Sequence, residues 1–260
     1  MSHIRAGSVR ALSSALLTSL FLSSAAGAEE AHWGYASTVG ADHWGEVSNG
    51  AMCAAGAEQS PIALSTASAV HANGYTPSFH YGTSRVRMVN NGHTVQFNYD
   101  VGSTLRLGPN EYKLAQFHFH TPSEHTLDGE HFPLEVHLVH TDAAGAPKVV
   151  VGVLIEEGLV NAALFSAFRH LPRHEGEESS PVGALINASA LLPFNRSFFH
   201  YAGSLTTPPC SEGLEWFVMK HPIQMSDSQI AAFERLPHIN PNNRPVQPLN
   251  SRVVSAQSGH

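Results

Sequence analysis

The sequence predicts a mainly β, α+β chain folded as a single domain, and three observations carry that prediction. Segments in which apolar and polar residues alternate recur along the chain, parted by Gly-, Asn- and Pro-containing turns. One uninterrupted apolar run, residues 149–155, has the length and Val content of a strand buried on both faces. Helical patterns are few and short. No linker or internal repeat divides the 260 residues, and 42% apolar against 13% charged residues supports a sizeable core and excludes disorder.

In chain order, the first 28 residues stand apart. Arg5 and Arg10 precede an apolar, Ser-punctuated run over residues 11–26, and Ala26-Gly27-Ala28 supplies a small-x-small cleavage site. This is the pattern of a secretory signal peptide over residues 1–28, which leaves a mature domain at 29–260, exported to a periplasm or the extracellular space. An uncleaved anchor is the alternative, but the run is short and Ser-interrupted against the ~20 apolar residues a span needs. No membrane span is expected after cleavage. Losing the two arginines takes the formal net charge from −7 to −9 with His neutral, which argues against a nucleic-acid partner. In an oxidising compartment the even pair Cys53 and Cys210 suggests one disulfide closing a very long loop; two buried free thiols are the alternative, and sequence does not decide between them.

The mature N-terminus reads as loop, with His32-Trp33-Gly34-Tyr35 and His43-Trp44-Gly45 among Gly and Ser, before an extended segment begins at Gln59-Ser60-Pro61-Ile62. Residues 85–89 and 93–99 read as strands about the tight turn Asn90-Asn91-Gly92. Residues 104–107 and 112–120 read as further strands about Gly108-Pro109-Asn110, and strands over 134–140 and 149–155 follow. Asn161 can cap a helix that ends at Pro172, and Ser226-Asp227-Ser228-Gln229 is a capping box that starts another. Residues 174–180 form a charged surface loop.

The chemistry concentrates between Gln116 and His140. His118 and His120 are two apart in an alternating segment, so both imidazoles share one strand face while Phe117 and Phe119 share the other. If residues 134–140 fold back beside this strand, His137 joins the pair. Three imidazoles on adjacent strands offer a rigid three-nitrogen face for Zn²⁺ with a fourth position open, the layout of a catalytic rather than a structural site. Gln116 and Glu135 each lie two residues before one of these histidines, on its strand face.

Four motifs then occur in order: Gln116-Phe117-His118-Phe119-His120, Pro122-Ser123-Glu124-His125, Glu135-Val136-His137-Leu138-Val139-His140, and Gly203-Ser204-Leu205-Thr206-Thr207-Pro208-Pro209. With them the sequence resembles the α-class carbonic anhydrases, specifically the exported bacterial kind, over most of the mature chain. The resemblance implies one domain around a large, twisted, mostly antiparallel central sheet with short peripheral helices. It implies the reversible hydration of CO2 to bicarbonate and a proton, by attack of zinc-bound hydroxide. His118, His120 and His137 become the ligands, and Gln116, Glu135 and a backbone carbonyl near Asn242 the acceptors of their second ring N–H. Thr206 and Glu124 orient the attacking group; Thr206 and Thr207 also hold substrate; Val139, Val150, Leu205 and Trp216 form the apolar CO2 pocket.

In the same resemblance His93, within Asn91-Gly92-His93, is the proton shuttle, and Tyr35, Asn91 and Gln96 line its water path. Strict alternation puts Gln96 on the face opposite His93, so His93 is expected in the turn, or a bulge intervenes. His125 and His140 read as structural. Exported bacterial members of the family often form homodimers. Two rival readings differ in class. A non-catalytic binding module on this fold generally loses zinc ligands, and none is missing here. A zinc esterase of another kind lacks its motifs: Glu178 stands where a His-Glu-x-x-His begun at His174-Glu175 needs its second His, and no Gly-x-Ser-x-Gly occurs.

Overall fold

The computed structural model describes residue 1, residues 33–72 and residues 74–258; the expected leader, Met1 apart, lies outside them. A large mixed sheet dominates. Its centre runs Val95–Asn98, Asn110–His120, Leu134–Thr141, Pro147–Glu157, Glu212–Met219, Phe198–Ser204 in spatial order. Most pairings are antiparallel, as expected. The exceptions are Pro147–Glu157, parallel to Glu212–Met219 and to Ile223–Met225, and Ser255–Gln257, parallel to Val70–His71. Pro147–Glu157 therefore has neighbours on both sides, and residues 149–155 are buried throughout, which is what their continuous apolar run requires.

Alternation sorts the strand residues into two buried clusters, one per face. Phe117, Phe119, Val136, Leu138, Val151 and Phe217 join the larger core. Val139, Val150, Trp216, Val218 and Tyr201 join a second cluster with Ile62 and Leu64. Each fully buried Leu, Val or Phe contributes roughly 1.5–3 kcal/mol, so a one-residue slip of register would exchange apolar for polar side chains along whole strands. The helix Asp227–Glu234 starts at Ser226 with both bonds of the capping box, and its Ile230 and Phe233 enter the larger core.

Three local expectations change. The hairpin turn falls later than Asn90-Asn91-Gly92: Met88–Asn90 pairs with Val95–Asn98, with Asn90 opposite Val95, so residues 91–94 make the turn and His93 lies in it. The N-terminal region is not plain loop but carries 3-10 turns at Ser37–Val39 and Ala41–Glu46 and a helix at Ala51–Ala55. They close around Trp44, which is fully buried and whose Nε1 donates to the Gly34 carbonyl at 2.8 Å. The helix foreseen from Asn161 to Pro172 shortens to Phe165–Phe168, with Asn161 Oδ1 accepting the Leu164 N–H at 3.3 Å. Among the described residues no helix is long and apolar enough to cross a membrane.

Candidate metal centre

The antiparallel register brings the histidines together. His137 pairs with His118, and Glu135 with His120, across the Asn110–His120 and Leu134–Thr141 strands. One nitrogen from each of His118, His120 and His137 lies within 4.8 Å of the other two, and His120 and His137 are 1% exposed. Behind this face every ring is fixed. His118 Nδ1 donates to Gln116 Oε1 at 2.8 Å, His120 Nδ1 to the Asn242 carbonyl at 2.8 Å, and His137 Nε2 to Glu135 Oε1 at 2.9 Å. These bonds set the tautomers: Nε2 of His118, Nε2 of His120 and Nδ1 of His137 keep their lone pairs. His120 Nε2 is buried with no hydrogen-bond partner. A buried polar atom without a partner is costly, and a metal ion would satisfy it.

At two of the three rings the electrostatics suit coordination. Burial, then the charges of His120 and His137, push His118 well below the ordinary imidazole range; burial lowers His120 too, against the opposing carboxylate of Glu124. Both rings are thus neutral at neutral pH, the form that ligates. For His137 burial also acts downward, but the charge and hydrogen bond of Glu135 and the charge of Glu124 together outweigh it and raise the pKa. Burial raises Glu135, yet the charges of His125 and His137 hold it well below the usual carboxylate range. Glu135 is a hub: Oε2 accepts the backbone N–H groups of Glu124 (2.9 Å) and His125 (2.8 Å), and Oε1 accepts His125 Nδ1 (2.7 Å) besides His137. His125 Nε2 meets Tyr201 Oη at 2.7 Å, so His125 is structural, as expected. His140 is structural as well, its Nε2 bonded to Tyr81 Oη at 2.7 Å.

The other predicted residues fall into place unevenly. Val139 pairs with Val150, and Val150 with Trp216, so these three and the half-buried Leu205 form one apolar wall on the histidine face. The Trp216 ring lies 4.8 Å from that of His137. Gln96 pairs with His118, while His93 stands in the turn with its ring stacked on Trp33 at 3.6 Å. Asn91 is exposed in the turn, and its Oδ1 accepts the N–H groups of His93 and Thr94, because an Asn here closes the turn. Tyr35 Oη is buried without a partner, and burial, then the Glu124 charge, holds its pKa well above 10.0. Thr206 is buried and Thr207 half-buried.

The Thr206–Glu124 hydrogen bond is absent among the described residues: Glu124 Oε1 accepts the Arg244 N–H at 2.8 Å, and Oε2 has no partner. Cys53 and Cys210 form the disulfide, which ties the turn after Thr206 to the Ala51–Ala55 helix.

Two residues of the site were given no role from the sequence. Arg244 is 2% exposed and donates to Gln59 Oε1, the Ser60 carbonyl and the Cys53 carbonyl. Burial lowers its pKa to about 10 against the raising charge of Glu124. Nothing local marks this arginine as buried. Gly152 pairs with His137, and a Cβ there would come within 2.9 Å of Glu135 Oε1. Its signal was a lone Gly inside an apolar strand, a sign of close approach.

A three-imidazole face on a large mixed sheet, backed by fully bonded acceptors, defines a candidate metalloenzyme. The sequence model for eukaryotic-type carbonic anhydrase matches residues 39–258, and the chain belongs to that family, the α-class carbonic anhydrases. It is an enzyme of the family whose reaction is CO2 hydration. The carbonic anhydrase of Pectobacterium atrosepticum is 40% identical over 232 residues, 89% of this chain and 93% of that protein. The α-carbonic anhydrase of Thermovibrio ammonificans, solved with the inhibitor sulfanilamide, matches with a TM-score of 0.82 at 42% identity, over 86% of this chain and 98% of that one. Dioscorin, solved with ascorbate, matches at 0.80 and 27% identity, over 88% and 99%. This fold is thus shared beyond proteins named carbonic anhydrase, and the activity is argued from the site.

Proposed function

We propose that the chain is an exported, zinc-dependent enzyme for the reversible hydration of CO2 to bicarbonate and a proton. The observation that carries this is the inward nitrogen of His120, buried and unpartnered, beside those of His118 and His137. His118 Nε2, His120 Nε2 and His137 Nδ1 hold the ion. When bound, Zn²⁺ supplies a Lewis acid that readies water for attack on CO2 near neutral pH; the figure of about 7 for such a water is carbonic anhydrase's own known value. Gln116, the Asn242 carbonyl and Glu135 fix the ligand rings and raise their basicity.

Val139, Val150, Leu205 and Trp216 present an apolar wall to an apolar substrate and exclude water from one side of it. Thr206 and Thr207 offer polar groups to a substrate oxygen. Glu124 Oε2, a buried carboxylate oxygen still open, would accept the Thr206 hydroxyl in the working enzyme, a bond not made here, and that bond would fix the direction of the hydroxyl's own lone pairs. His93 carries the released proton outward, with Tyr35 and Gln96 along the way. The disulfide and the leader pattern over residues 1–28 support export.

Stopped-flow CO2 hydration by the zinc-loaded mature protein tests the reading. Rapid hydration is expected; one bound zinc per chain without hydration would overturn it.

A further inference from the structure

We infer that His174 and His238 are outer proton acceptors that drain His93, an inference that rests on the shuttle role proposed above. A cavity of about 660 Å³ has His93 and Tyr35 on its lining, and also Arg173, His174, Glu175 and His238 from two other loops. Both loops are hydrogen-bonded to the His93 turn, the first by backbone and Asn90 side-chain bonds and the second by an Asn242 side-chain bond. Gly176 N donates to the Asn90 carbonyl at 2.8 Å, Asn90 N to the Glu177 carbonyl at 3.0 Å, and Asn90 Nδ2 to the Pro172 carbonyl at 3.2 Å. On the other side Asn242, four residues beyond His238, donates its Nδ2 to the His93 carbonyl at 2.9 Å. Three imidazoles therefore border one space, although they are remote in sequence.

The charges around this space are mixed. The Glu175 carboxylate packs on Gly92, where an added Cβ would meet its Oε1 at 2.9 Å, so a negative charge sits beside the residue preceding His93. Arg173 opposes it from the same rim. Glu177 is engaged by the N–H groups of Arg173 and His174 at 2.7 and 3.0 Å.

Each hydration event releases one proton, and the shuttle must be emptied before the next. A cavity of this size holds a chain of waters, since one water occupies about 30 Å³ in the liquid. The proton taken up on one ring nitrogen of His93 leaves from the other. That N–H bond breaks as an O–H bond forms on a cavity water, and the water chain passes a proton to a ring nitrogen of His174 or His238. Buffer then removes it. Imidazoles accept and release protons near neutrality at little cost, which suits this position better than any other side chain.

The test is the double variant His174→Ala with His238→Asn, in the zinc-loaded mature protein. Asn is chosen because His238 sits at φ +64°, a conformation Asn tolerates. In dilute buffer kcat should fall about two- to fivefold, a modest share of what a positioned proton-transfer group contributes. kcat/KM for CO2, which precedes proton release, should hold, and concentrated imidazole should restore kcat. In a His93→Ala background the same two substitutions should add no loss. No fall in dilute buffer while His93→Ala is impaired would overturn the inference and leave the shuttle reading standing. An equal loss in the His93→Ala background would also overturn it, because the two histidines would then act apart from His93. If His93→Ala is itself silent, the shuttle reading fails and this one falls with it.

Discussion

Two buried groups share His137: His118, His120 and His137 on one side, and His125, Glu135 and His137 on the other, each with metal-capable atoms within 4.8 Å of one another. By composition and spacing both are candidate metal sites. They differ in how their atoms are satisfied. In the second group the close atoms are hydrogen-bonded to each other, His125 Nδ1 and His137 Nε2 both donating to Glu135 Oε1 at 2.7 and 2.9 Å. In the first, bonds on the far side of each ring leave the facing nitrogens as acceptors, and His120 Nε2 is buried with no hydrogen-bond partner. Proximity of ligating atoms is thus common to a scaffold and to a site. The site is the place where a fully bonded framework stops one bond short.

The largest effect is expected from removing a nitrogen of the first group. His120→Ala should abolish stoichiometric zinc binding and bring CO2 hydration to background, read by metal analysis and stopped flow; retention of both would merge the two groups again. Next, His93→Ala should slow turnover in dilute buffer by about 10²-fold, the lower end for a positioned proton-transfer group, with added imidazole restoring it. Unchanged turnover in dilute buffer would remove His93 from the account.

Glu135→Gln probes the second group as scaffold. It keeps the size but sets an amide N–H₂ against donors that now share four bonds to the carboxylate. Zinc affinity, measured by competition with a chromophoric chelator, should drop about 10- to 100-fold, the usual cost of losing a ligand's hydrogen-bond partner. An affinity equal to wild type would mean that the ligand ring needs no such support.

The smallest effect lies off the site, at His140. Burial lowers its pKa to about 4, and the ring stays neutral in the fold, donating Nδ1–H to the Val149 carbonyl and accepting from Tyr81. The unfolded chain binds a proton here near pH 6.5, so between about 6.5 and 4 the unfolded state holds more protons. The contribution is fully present above pH 6.5 and is lost as pH falls through that window. Urea unfolding of His140→Gln should show a shallower decline of stability with acid than wild type; an identical slope would assign the acid sensitivity elsewhere.

Much of this was legible in sequence because strand parity is local. The two-residue spacing of Gln116, His118 and His120, and of Glu135, His137 and Val139, fixed which side chains share a face, and the register then joined them. The turn position of His93, raised by the parity of Gln96, follows from the pairing of Asn90 with Val95. What sequence could not carry depends on distant partners or on ring geometry. The Asn242 carbonyl that orients His120 was reached only through the family resemblance, not through any local pattern, and Arg244 is buried through contacts with residues 53, 59 and 60. Asn91 serves the turn through its oxygen, a role that strand parity alone did not announce. The parallel pairing of Pro147–Glu157 with Glu212–Met219 joins residues too far apart for any local pattern to announce.

The most direct measurement is a crystal structure of the zinc-loaded protein. The expected result is one zinc bound by His118 Nε2, His120 Nε2 and His137 Nδ1 at about 2.0–2.1 Å, with a fourth position open to solvent. A zinc bound instead through His137 Nε2, or held by His125 and Glu135, would contradict it.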